Sequence, residues 1–153
     1  MVTAWRITKR KHARHAFTGE GAREFGGRWN NPGTAIVYTA QSQSLAALEM
    51  LVHLDSSELL AKYVLVGVEF DLSLFRPVEP SALPRHWKSD PSPPEIRSLG
   101  DDWILAGSSA VLQVPSAMVP GEYNFLLNPE HQDFAKLRLG KPLAFRFDAR
   151  LKR

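Results

Sequence analysis

The chain has 153 residues, 44% of them hydrophobic and 23% charged, with a net charge of +3 and no cysteine. It is long enough for one domain, residues 1–153, with a buried core and no covalent staples. Disulfides, thiol nucleophiles and thiolate metal sites are excluded. No segment approaches the ~18 apolar residues of a membrane span, and the opening Met-Val-Thr-Ala-Trp-Arg-Ile lacks a signal peptide's apolar run. A soluble, cytoplasmic protein is the expectation.

Residues 2–8 read as a first strand with Trp5 and Ile7 on one side. Basic residues crowd the segment around and after it (Arg6, Lys9, Arg10, Lys11, Arg14, with His12 and His15) and the end of the chain (Arg146, Arg150, Lys152, Arg153). Such clusters are nucleic-acid footprints, docking sites for an acidic partner or solvated ends. No nucleic-acid-binding motif accompanies them, so direct nucleic-acid contact is not expected.

The stretch Glu-Phe-Gly-Gly-Arg-Trp-Asn at residues 24–30 is the most unusual in the chain. A glycine pair permits a tight turn or a close approach to a ligand. Arg28 supplies a rigid fork of donors matched to phosphate and carboxylate. Residues 34–38, ending in Tyr38, read as a strand, and residues 45–54 as a helix. On that helix Leu45, Leu48, Leu51 and Val52 share a face, with Glu49 at its shoulder. A carboxylate half drawn into a core requires a cation, a donor or a ligand. The residues leave open whether Glu49 pairs with Arg28, meets His53 one turn on, or works on a substrate.

Residues 62–71 are the clearest strand, apolar enough for the interior of a sheet. A proline-rich surface connection, residues 75–94, carries Trp87. Residues 94–107 read as a helix with Ile96, Leu99 and Trp103 inward, a reading that Gly100 weakens. Residues 109–114 and 124–127 read as strands, 130–137 as a short helix and 143–148 as a half-exposed closing strand. Five or six strands with two main helices make a mixed α+β domain. The scattered histidines have no metal-site spacing, so no metal is expected, and neither a Rossmann fingerprint nor a Walker loop is present.

Taken in order, Gly-Gly-Arg-Trp-Asn, the strand ending Tyr-Thr-Ala and Ser-Leu-Ala-Ala-Leu-Glu resemble the RES domain family, named for conserved Arg, Glu and Ser residues. Val-Pro-Ser-Ala at 114–117 and Glu-Tyr-Asn-Phe-Leu-Leu-Asn-Pro at 122–129 look like that family's C-terminal signature, so the resemblance spans nearly the whole chain. It implies a split mixed sheet similar to that of ADP-ribosyltransferase domains, with NAD+ as substrate in a cleft. It also implies a toxin paired with an Xre-type helix-turn-helix antitoxin, with a homodimer of the toxin inside that complex.

The nicotinamide–ribose bond already has a good leaving group. Its cleavage needs a carboxylate to stabilise oxocarbenium character and groups to hold the phosphates. On the resemblance, Glu49 takes the first task and Arg28 the second, with Arg6 the next candidate. Tyr38 stacks on the nicotinamide or bonds through its hydroxyl. Ser109 and Ser116 are joint candidates for the family's serine, and Asn124 for a substrate amide contact. The acceptor stays open between water, phosphate and a protein side chain. The last would make the protein a mono-ADP-ribosyltransferase. An RNA-binding or ribonucleolytic toxin using the basic termini is the further alternative.

Overall fold

A computed structural model describes residues 1–151. Eight strands form one mixed sheet: β1 (Val2–Lys9), β2 (Val37–Ala40), β3 (Tyr63–Phe70), β4 (Phe75–Pro77), β5 (Val111–Pro115), β6 (Tyr123–Leu127), β7 (Arg138–Leu139) and β8 (Leu143–Phe145). The helices are α1 (Glu20–Phe25), α2 (Gln43–Leu51) and α3 (Pro94–Ala106). The sheet order is β4-β5-β6-β2-β1-β3-β7, with β8 also on β3, and only the β4–β5 pair is parallel.

The sheet curls. Phe75 of β4 and Phe70 of β3 belong to strands far apart in that order, yet their rings lie 6.3 Å apart, and Phe125 of β6 touches both at 6.0 and 5.4 Å. These rings, with Val37, Val68, Val111 and Leu127, form the core on one face. Strand register places Tyr38, Ala40, Asn124 and Leu126 on the opposite face. There α2 packs through Leu45 and Ala46 against Ile7, Tyr63 and Leu65, while α3 packs through Ile96 and Trp103 against Leu112, Val114 and Leu126.

The sheet is nearly severed at one seam. β1 pairs with β3 over eight residues but meets β2 at the single pair Trp5↔Ala40. Beyond that pair β1 and β2 diverge, and Arg6 stands beside the opening. The expected α+β single domain and split sheet take this form.

Several local expectations are corrected. The strand read at 34–38 begins later, at Val37. The helix read at 45–54 runs from Gln43, where the Ser42 hydroxyl accepts from the Leu45 amide as its N-cap, to Leu51. Leu48 and Val52, assigned to its core face, are exposed. The inward line is instead Leu45, Ala46 and, one turn on from Leu45, Glu49, which is half-buried.

The proline-rich connection is not merely a surface link. It contributes β4, and its Trp87 is buried against Trp29 at 6.2 Å between ring centroids. Gly100 also has a reason. A Cβ there would lie 1.8 Å from the Trp29 carbonyl oxygen, so only glycine lets α3 approach the turn that carries Arg28. The expected short helix at 130–137 is a 3-10 segment, Gln132–Lys136. No helix among the described residues is long and apolar enough to cross a membrane.

Candidate active site

Glu49 and its partners converge at the sheet face covered by α2. Glu49 Oε1 accepts from Asn124 Nδ2 at 2.7 Å, and Asn124 also donates to the Thr39 carbonyl at 3.2 Å. Both amide hydrogens are therefore committed, one to the backbone of β2 and one to the carboxylate. Glu49 Oε2 faces the Ser116 hydroxyl at 3.4 Å. The Ser116 oxygen accepts from the Met118 and Val119 amides at 3.1 and 3.2 Å, which directs its one proton to the carboxylate.

Burial pushes the Glu49 carboxyl above its ordinary pKa. The bonds from Asn124 and Ser116 pull it partly back, and the nearby charge of Glu122 adds to the rise. No cation comes within ion-pair distance of Glu49 among the described residues. Neither the Arg28 pairing nor a bond to His53 is present. Each carboxylate oxygen retains lone-pair capacity for a substrate.

The two serine candidates part company. Ser116 touches Glu49, whereas Ser109 is buried in the core, accepting from Trp103 Nε1 at 2.9 Å and donating to the Val111 carbonyl at 2.8 Å. Ser109 ties α3 to β5, and every hydrogen bond it makes is internal.

Tyr38 and Arg28 are both engaged in the glycine turn. The Tyr38 hydroxyl donates to Asn30 Oδ1 at 2.6 Å and accepts from the Trp29 amide at 3.0 Å. A Cβ on Gly27 would lie 2.6 Å from that hydroxyl, so the glycine makes room for the tyrosine. Burial raises the Tyr38 pKa far above its usual value, which keeps the phenol neutral. Arg28 Nη1 donates to the Trp87 and Ser89 carbonyls, each at 3.1 Å, and the Ser92 hydroxyl donates to the Arg28 carbonyl. Arg28 thus pins the proline-rich connection over the turn.

Arg28 uses Nη1 alone for these bonds, and Arg6 is a second cation with spare capacity. Its Nη1 donates to the Tyr38 carbonyl at 3.0 Å, and its Nε is sealed from solvent without a partner. Burial lowers its pKa, and no acidic residue pairs with it among the described residues. A guanidinium buried without a counter-ion is costly to fold, and an anionic ligand would offset that cost. From the sequence Arg6 is only the next candidate after Arg28. The signal that separates it is position: Arg6 lies mid-strand in β1, flanked by Trp5 and the buried Ile7, whereas Lys9 ends the strand and pairs with Glu58.

Comparison with known proteins agrees with this arrangement of elements. A chain 43% identical over 149 residues (97% of this chain, 98% of the relative) is named Toxin Res and comes from Yersinia enterocolitica. Another, from a Sphingobium species, is 38% identical over 152 residues (96% of this chain, 94% of the relative) and is named Prs ADP-ribosylating toxin. In shape the chain is similar to a chain of the MbcT–MbcA toxin–antitoxin complex of M. tuberculosis, with a TM-score of 0.76 at 22% identity, covering 98% of this chain and 86% of that one. The RES domain profile matches residues 3–148, so the chain belongs to the RES domain family.

Proposed function

We propose that this protein is the toxin of a toxin–antitoxin pair and that it acts by cleaving the nicotinamide–ribose bond of NAD+. The observation that carries the reading is that a held carboxylate and a cation without an internal counter-charge are both anchored on the short strand β2. Glu49, fixed by Asn124 and Ser116, lies on one side of β2, and Arg6 reaches the same strand from β1.

Glu49 is suited to stabilising positive character at the ribose C1′ as the bond to the ring nitrogen lengthens. The bonding electron pair leaves with the nitrogen, which neutralises the pyridinium and releases nicotinamide. Capture of C1′ by water, with loss of its proton to solvent or to Glu49, yields ADP-ribose. Capture by inorganic phosphate yields the phosphorylated sugar. Arg6 holds the pyrophosphate in this reading, and Arg28 keeps the neighbouring connection in place. The cognate partner is an Xre-type helix-turn-helix antitoxin.

A second reading has one specific support. The Sphingobium relative's name, Prs ADP-ribosylating toxin, favours a protein side chain as acceptor at the same carboxylate. Inducing the protein in growing bacteria while measuring the NAD+ pool and labelled ADP-ribose on protein separates the two. Collapse of the pool before growth stops, without labelled protein, supports NAD+ depletion. Growth arrest with an intact pool and a labelled protein band would replace it with the transferase.

A further inference from the structure

The basic segment after β1 takes no part in the chemistry above. The segment Arg10–His15 is a 3-10 helix with no buried residue, lying beside β1 and β3. A groove of ≈ 660 Å³ runs between it and β8, with Arg10, Lys11 and Arg14 on one wall, Pro142 and Ala144 on the other, and Val64 between them. A second groove of ≈ 630 Å³ shares Arg10 and Lys11 and adds Lys9 and Lys62. The ion pairs of the described residues leave out Arg10, Lys11, Arg14 and Lys62, and neither groove has an acidic residue in its lining. Lys9, in contrast, is matched by Glu58 at 3.0 Å.

We infer that this double groove is a docking site for an acidic, extended segment of a protein partner. Three features favour a peptide over a single-stranded nucleic acid. The cations line a trough whose remaining wall is aliphatic, and no aromatic ring lines either groove to stack a base. β8 pairs only with β3 among the described residues, so its outer backbone edge is open to an extended chain. Like-charged side chains crowded without counter-ions repel one another, and an acidic segment relieves that repulsion while its charge steers the encounter.

The test uses the full chain and two probes of nearly equal charge, fluorescein-labelled decaglutamate and a labelled thymidine decanucleotide, in ~0.1 M salt. Decaglutamate is expected to bind more tightly than the oligonucleotide. Charge reversal at Arg10→Glu with Arg14→Glu is expected to weaken it by about tenfold or more. The neutral pair Arg10→Gln with Arg14→Gln should fall between, and thermal melts should show all variants folded, since both side chains are exposed. Tighter binding of the oligonucleotide would reassign the groove to nucleic acid. Decaglutamate affinity that is absent, or unchanged by charge reversal in a folded variant, would overturn the proposal.

Discussion

Arg6 and Asn124 hold consecutive peptide carbonyls of β2. Arg6 Nη1 reaches the Tyr38 oxygen at 3.0 Å, and Asn124 Nδ2 reaches the Thr39 oxygen at 3.2 Å. Successive carbonyls of a strand point to opposite edges. One short strand therefore sets the separation between the unpaired cation and, through Asn124, the Glu49 carboxylate. Displacing β2 would disturb both at once.

The first prediction is a stability effect with a defined sign. The folded-state pKa of Glu49 is raised, chiefly by burial. Protonation therefore favours the fold: the stabilisation is fully present below the unfolded-state pKa of ~4.3 and is lost as pH rises through the folded value. Glu49→Gln, neutral at every pH, should melt above the wild type at pH 7, with the gap closing as the pH falls toward 4. A glutamine variant that melts lower at pH 7 and gains nothing relative to wild type between pH 4 and 7 would mean that the carboxylate is not strained by burial.

The serines should separate by kind of defect. Ser109→Ala strands the Trp103 indole N–H and should cost about 1–3 kcal/mol of stability with turnover kept. Ser116→Ala frees one side of Glu49 and should lower NAD+ turnover. Denaturant melts alongside initial rates distinguish them. Full turnover in a folded Ser116→Ala variant would remove Ser116 from the site.

The arginines should also divide. Arg6→Lys keeps a charge but loses the planar fork, and should weaken NAD+ binding by about 1.5–3 kcal/mol. Arg28→Lys should mainly loosen residues 80–93, seen as faster proteolysis there, because its bonds go to the Trp87 and Ser89 carbonyls. If titration shows that Arg28→Lys, and not Arg6→Lys, loses NAD+ affinity, the phosphate site belongs to Arg28.

Gly100→Ala offers a purely structural check. Helix propensity alone favours alanine by about 1 kcal/mol. The Trp29 carbonyl oxygen, 1.8 Å from the new Cβ, makes the change overpack backbone. A net loss of roughly 2 kcal/mol or more is expected by chemical denaturation. Equal or greater stability would show that α3 can withdraw from the turn freely.

Much of the framework was legible. β3 is so rich in β-formers that no other reading competes, and α3 survived Gly100 because its apolar spacing outweighs one poor helix former. Glu49 stood out as an acid half drawn into the core and is half-buried, but the core face of its helix differs from the expected one. The exposed Leu48 and Val52 look like core residues to a periodicity count, although tertiary packing selects Leu45 and Ala46. The contacts of Arg6, Arg28, Ser109 and Ser116 were hidden for a common reason. Those of Arg28 and Ser116 lie with partners at least 59 residues away, and those of Ser109 at the turn between α3 and β5. Arg6 meets Tyr38 across |i−j| = 32, and no local pattern encodes that contact.

The most direct measurement is nicotinamide release from NAD+ by purified protein, wild type against Glu49→Gln, with folding matched by thermal melts. Release by the wild type and loss of about 100-fold or more in the folded glutamine variant is the expected result, in line with removing a group that stabilises transition-state charge. Release that continues at the wild-type rate in the glutamine variant would contradict the assignment of Glu49. No release by the folded wild type, with water, phosphate and cell protein each offered as acceptor, would contradict NAD+ cleavage itself.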